Sequence, residues 1–125
     1  VKMCLQVMAP MISTMSVNRE AMRNAAAKGF INATDLADYL VRKGMPFRTA
    51  YKTVGQIVAE CTAKGLTLET LPLEAYRARS PLFGEDLFDA ISLETCVRQR
   101  ISPGSVSGPS LDAQFAFLAS AVEGL

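Results

Sequence analysis

The sequence predicts an all-α fold. Apolar residues recur every three to four positions along most of the chain, Gly44 and Pro46 enforce a tight reversal between two such stretches, and no pair of alternating segments reads as strands. The predicted architecture is the end of a long bundle helix, residues 1–29, followed by a small domain of helix-turn-helix pairs, residues 30–125. At 125 residues the chain is one domain or part of one, with room for a modest core.

Val1 to Met15 is apolar around its whole axis, with Lys2 and Gln6 as the strongly polar side chains before Ser13. A helix of that kind needs cover on most sides, more than a small domain supplies. The segment is therefore expected either to lie in the bundle of an oligomer or to continue upstream, with Val1 as a cut end. Lys2 within the run and Pro10 interrupting it fit neither a signal peptide nor a membrane span, which needs about 20 apolar residues. Asn18 caps a second helix, Arg19 to Lys28, closed by Gly29, with Met22, Ala25 and Ala26 expected inward.

The organising stretch is Phe30 to Gly55. Asn32 is placed to cap the next helix through its side chain, beside Thr34, and Asp35 lies in the first turn, where the dipole favours a negative charge. Ala33, Leu36, Ala37, Leu40 and Val41 line one face. Arg42 and Lys43 meet the last carbonyls, and Gly44 supplies a positive φ. Pro46 has the fixed φ of a first helical position, so a new helix starts there. On it Phe47, Ala50, Val54, Ile57, Val58 and Cys61 form a second stripe, with Arg48, Lys52 and Glu60 outside. Two stripes joined by so short a turn must pack on each other.

Lys64-Gly65 closes that helix, and Thr67 and Pro72 lead into Leu73 to Arg79, broken by Ser80-Pro81. Glu85 to Ile91 is a short helix with Leu87, Phe88 and Ile91 inward. Ser92 caps Leu93 to Ile101, whose Leu93, Cys96, Val97 and Ile101 make a narrow stripe. Ser102 to Ser110 is polar, rich in Gly and Pro, and reads as a mobile loop. The last helix, Ser110 to Val122, presents Leu111, Phe115, Leu118, Ala119 and Val122 on one side.

Composition bounds the function. Thirteen basic side chains nearly balance twelve acidic ones, so there is no surplus for a polyanion. Arg42, Lys43, Arg48 and Lys52 cluster at the helical turn, as a DNA-reading pair would require, but Asp35, Asp38 and Glu60 lie close by in sequence, and nucleic acid is not expected as a partner. Thr34, Asp35 and Asp38 could form a polar site at a helix start; capping and solvation account for them more simply. Histidine is absent, and Cys4, Cys61 and Cys96 are far apart with no CxxC, which argues against metal sites and disulfide frameworks and for a reducing compartment. No catalytic residue, cofactor or metal ligand is expected in this chain.

The run Asn-Ala-Thr-Asp-Leu-Ala-Asp-Tyr-Leu-Val-Arg-Lys-Gly-Met-Pro-Phe-Arg, residues 32–48, closely resembles the C-terminal domain of argininosuccinate lyases, members of the fumarase/aspartase superfamily. The likeness continues through Val54-Gly55, Ala63-Lys64-Gly65, Leu71-Pro72-Leu73-Glu74 and Ser80-Pro81-Leu82-Phe83. It implies an enzyme that splits argininosuccinate into arginine and fumarate, in arginine biosynthesis and the urea cycle, with long helices of four subunits assembled into a central bundle. Asn32, Thr34, Asp35, Gly44, Pro46 and Arg48 are then structural positions. The groups that the resemblance implies for catalysis, a Gly-Ser-Ser loop with Met-Pro-x-Lys-x-Asn, a Thr-His pair and a Gln-x-x-Lys, are all absent from Val1–Leu125.

This chain alone is therefore expected to be an inactive scaffold, with its upstream part or other subunits as partners. Tyr51 departs from the family's histidine, and Gly104 to Ser110 departs from its Gly-Gly-Thr turn. Pro46 to Thr49 and Glu60 to Gly65 look most like the plant and algal branch, so the expected location is the cytoplasm, or the chloroplast for that branch. The rival expectation is a stand-alone, non-catalytic module that binds a protein through residues 1–15.

Overall fold

The buried apolar side chains all lie between Leu36 and Cys96 among the described residues. The computed structural model describes residues 1–123, and these form α1 (Lys2–Ser13), α2 (Arg19–Ala26), α3 (Ala33–Arg42), α4 (Phe47–Lys64), α5 (Leu73–Arg79), α6 (Leu87–Ala90), α7 (Leu93–Arg98) and α8 (Gly108–Glu123). No strand occurs among the described residues, so the chain is all-α as its periodicity predicts.

The α3–α4 hairpin is the centre. Gly44 sits at φ 95°, and the amides of Gly44 and Met45 donate to the carbonyls of Val41 (2.9 Å) and Leu40 (3.0 Å). These two bonds satisfy the orphan carbonyls of α3 and turn the chain within three residues. Pro46, at φ −58°, stands just before α4, one position earlier than the sequence suggests, and accepts from Thr49 and Ala50. Leu36, Ala37 and Leu40 of α3 then meet Ala50, Val54, Ile57 and Cys61 of α4. Gly65, at φ 65°, ends α4 in the same manner, with the Leu66 amide on the Cys61 carbonyl at 2.9 Å.

The remaining core comes from short elements that close the open side of the hairpin. Tyr76 of α5 is wholly buried, and its hydroxyl donates to the Leu68 carbonyl at 2.6 Å. Its ring meets Phe83 edge-on at 5.1 Å and Phe88 at 6.2 Å. Leu71, Leu87 and Ile91 complete the cluster. Each large apolar side chain so buried contributes roughly 1.5–3 kcal/mol.

Several stripes expected to face inward do not. Residues 1–29 are exposed throughout, so Met22, Ala25 and Ala26 are not core, although Asn18 does cap α2 by accepting from the Ala21 amide at 3.0 Å. Val41, Phe47, Val97 and Ile101 are exposed at the edges of their stripes, where the partner helix no longer reaches. The 102–110 segment is tied down: Ser107 is fully buried, Ser110 donates to the Ser102 carbonyl, and Gln114 donates to those of Ser105 and Ser110. On α8 only Ser110 is buried, so the stripe of Leu111, Phe115, Leu118 and Val122 faces outward.

Candidate functional site

Three polar arrangements gather around α3, each holding a long-range contact in place. At its start, Asn32 does not cap the helix with its side chain. It is 2% exposed and donates instead to Glu69 Oε1 at 2.6 Å and to the Ile91 carbonyl at 3.0 Å. The buried carboxamide is thereby satisfied by two segments that a helix cap would leave untouched, and desolvation makes that pairing the favoured use of the group.

Three residues on, Asp35 is nearly buried and takes a bidentate pair of bonds from Arg100, Nη1 to Oδ1 at 3.1 Å and Nη2 to Oδ2 at 3.2 Å. The Asp35 carboxylate holds the Arg100 guanidinium above its ordinary range. Arg42 reaches across to Gln99 at 3.0 Å. Thr34, Asp35, Asp38, Arg42, Gln99 and Arg100 line a polar surface groove of about 390 Å³. The structure thus brings Thr34, Asp35 and Asp38 together, as the sequence allows, but adds two arginines that turn the acidic cluster into a mixed one.

One to two turns further along α3, Tyr39 and Lys43 converge on Asp86. The Tyr39 hydroxyl donates to Asp86 Oδ1 at 2.8 Å and Lys43 Nζ to the same oxygen at 2.9 Å, while the Gly84 amide donates to the Tyr39 hydroxyl at 3.0 Å. Hydrogen bonds from Lys43 and then Tyr39 draw the Asp86 carboxyl below its usual value, and those with Tyr39 and Asp86 raise Lys43. A Cβ at Gly84 would collide with the Asp86 carboxylate, which would have to shift and disturb its bonds to Tyr39 and Lys43.

The basic cluster predicted at the turn is therefore divided. Lys43 is drawn onto Asp86 and lies 4.5 Å above the Tyr39 ring, Arg42 is bonded to Gln99, and Arg48 and Lys52 stay on the exposed side of α4. Tyr51 is 70% exposed and leans on Phe47 with ring centroids 6.1 Å apart. Together with Phe30, Ala33, Ala37, Val54, Gly55 and Val58 these two rings border an apolar groove of about 380 Å³.

Tyr39, Glu69, Asp86, Gln99 and Arg100 escape sequence reasoning because their partners lie 37 to 65 positions away. Only Tyr39 carried a signal, as a large side chain beside the α3 stripe.

None of these groups has the environment of an activated nucleophile. Burial raises both inner thiols, Cys61 upward and Cys96 to about 11, and each stays neutral near pH 7. Burial likewise raises the Tyr76 phenol. No cluster of three metal-ligating side chains occurs among the described residues, and no described helix is long and apolar enough to cross a membrane. Ion pairing engages the Asp35 and Asp86 carboxylates and also Glu60, which Lys64 and Arg79 keep below its usual range.

Comparison with known proteins gives these contacts a context. The family model described as "Argininosuccinate lyase C-terminal" matches residues 30–98. The argininosuccinate lyase of Heliobacterium mobile is 50% identical over 125 residues, 100% of this chain and 27% of the relative. That of Symbiobacterium thermophilum is 48% identical over 118 residues, 94% of the chain and 26% of the relative. That of Bacillus mycoides is 50% identical over 101 residues, 81% of the chain and 22% of the relative. The chain thus spans about a quarter of the length of the curated relatives it matches.

Proposed function

The chain belongs to the argininosuccinate lyase family as part of its C-terminal region, and from that premise we propose that it is the scaffold portion of an enzyme that cleaves argininosuccinate to arginine and fumarate. The observation that carries this reading is identity of 50% across the whole chain but only 27% of the relative, which leaves the elimination chemistry to sequence outside these residues. Such an elimination needs a base beside the proton removed and donors for the developing carboxylate charge. This chain has no histidine, and its Asp35 and Asp86 carboxylates are engaged in holding α3 to the segments around α6 and beyond α7.

On this reading residues 1–29 are the end of a bundle helix and residues 30–125 a small helical domain. The support is that residues 1–29 bury nothing and the family match begins at residue 30. Asn32, Asp35, Gly44 and Pro46 shape and tie the α3–α4 hairpin, and Thr34 and Arg48 lie on its exposed rim; all six serve structure, with no cofactor. The partners are further copies, four subunits as the resemblance implies, or the upstream part of the same polypeptide, and not nucleic acid or a membrane. The location is the cytoplasm, or the chloroplast for a plant or algal source.

The intact mass of the natural polypeptide tests the assignment. A product roughly four times this length is expected from the 27% share. One near 125 residues would favour the rival stand-alone module. Fumarate release, followed by its ultraviolet absorbance, should be absent from Val1–Leu125 alone, and measurable turnover there would overturn the scaffold role.

A further inference from the structure

We draw no further inference here: the strongest candidate, the apolar groove of about 380 Å³ between α3 and α4 bordered by Phe47 and Tyr51, lies open in a chain that spans about a quarter of its relatives' length, and nothing in the structure shows what covers it.

Discussion

Arg100 grips Asp35 with both arms of its guanidinium, at 3.1 and 3.2 Å, across 65 positions of sequence. The pair fastens the chain beyond α7 to the first turn of α3, where the negative charge also faces the amides of the helix start. Because Asp35 is nearly buried and Arg100 is about half exposed, the arginine can leave for water at modest cost while the carboxylate cannot.

Arg100→Met should therefore destabilise the domain by about 1–3 kcal/mol, the range for losing hydrogen bonds to a charged group. Arg100→Lys keeps the charge but loses the fork, so a smaller loss is expected. The double variant with Asp35→Asn should recover part of the deficit by removing the stranded charge. Urea midpoints measure all three, and an unchanged midpoint for Arg100→Met would sink the account.

The alkaline and acid edges of stability should have different owners. Asp86 and Glu60 have lowered values in the folded state, so their contribution is present above their ordinary 3.8 and 4.5 and is lost as pH falls through the folded values. Cys96 is raised from 9.0 to about 11, so its contribution is full below pH 9 and disappears as pH rises toward 11. With no histidine in the chain, melting temperature should be nearly flat from about pH 5 to 8. Cys96→Ala should move the alkaline edge upward, and thermal melts across pH in which that edge stays put would contradict the assignment.

Gly44 offers a separation of backbone from packing. Its φ is 95° and nothing lies within 4 Å of a Cβ built there, so any penalty on substitution is conformational. Gly44→Val should cost roughly 1 kcal/mol or more, and Gly44→Asn less, since asparagine tolerates the left-handed region. For a domain of this size 1 kcal/mol corresponds to a fall of about 4–8 °C in Tm. Equal melting points for Val and Asn would show that the turn does not depend on the left-handed conformation.

The α3–α4 hairpin was legible because stripe spacing and the Gly44–Pro46 reversal are local, and the caps of Asn18 on α2 and Ser92 on α7 were legible because they too act within four residues. Asn32 was misread as a cap because the competing partners, Glu69 and Ile91, are distant and the burial that favours them is a property of the assembled core. The same holds for Tyr39 with Asp86 and Asp35 with Arg100. Stripes on α2, α7 and α8 have the right period, but period states that a face is apolar without stating what covers it.

That distinction bears most on α1. It buries no residue among the described ones, yet Met3, Leu5, Val7, Met8, Met11 and Ile12 are all more than half exposed along a single helix. Contiguous apolar surface on this scale marks an interaction site. If it is one strand of a helical bundle between copies, Leu5→Glu with Met8→Glu should convert an oligomer to monomer by placing two unpaired carboxylates in the seam. The same change should leave thermal unfolding of the α3–α7 core within about 0.5 kcal/mol, the usual effect of a surface substitution. Sedimentation velocity reads the first outcome and a circular dichroism melt the second. An unchanged sedimentation coefficient in a protein that is oligomeric before substitution would remove α1 from the interface, and a lowered melt would mean that α1 supports the core from a position where it buries nothing.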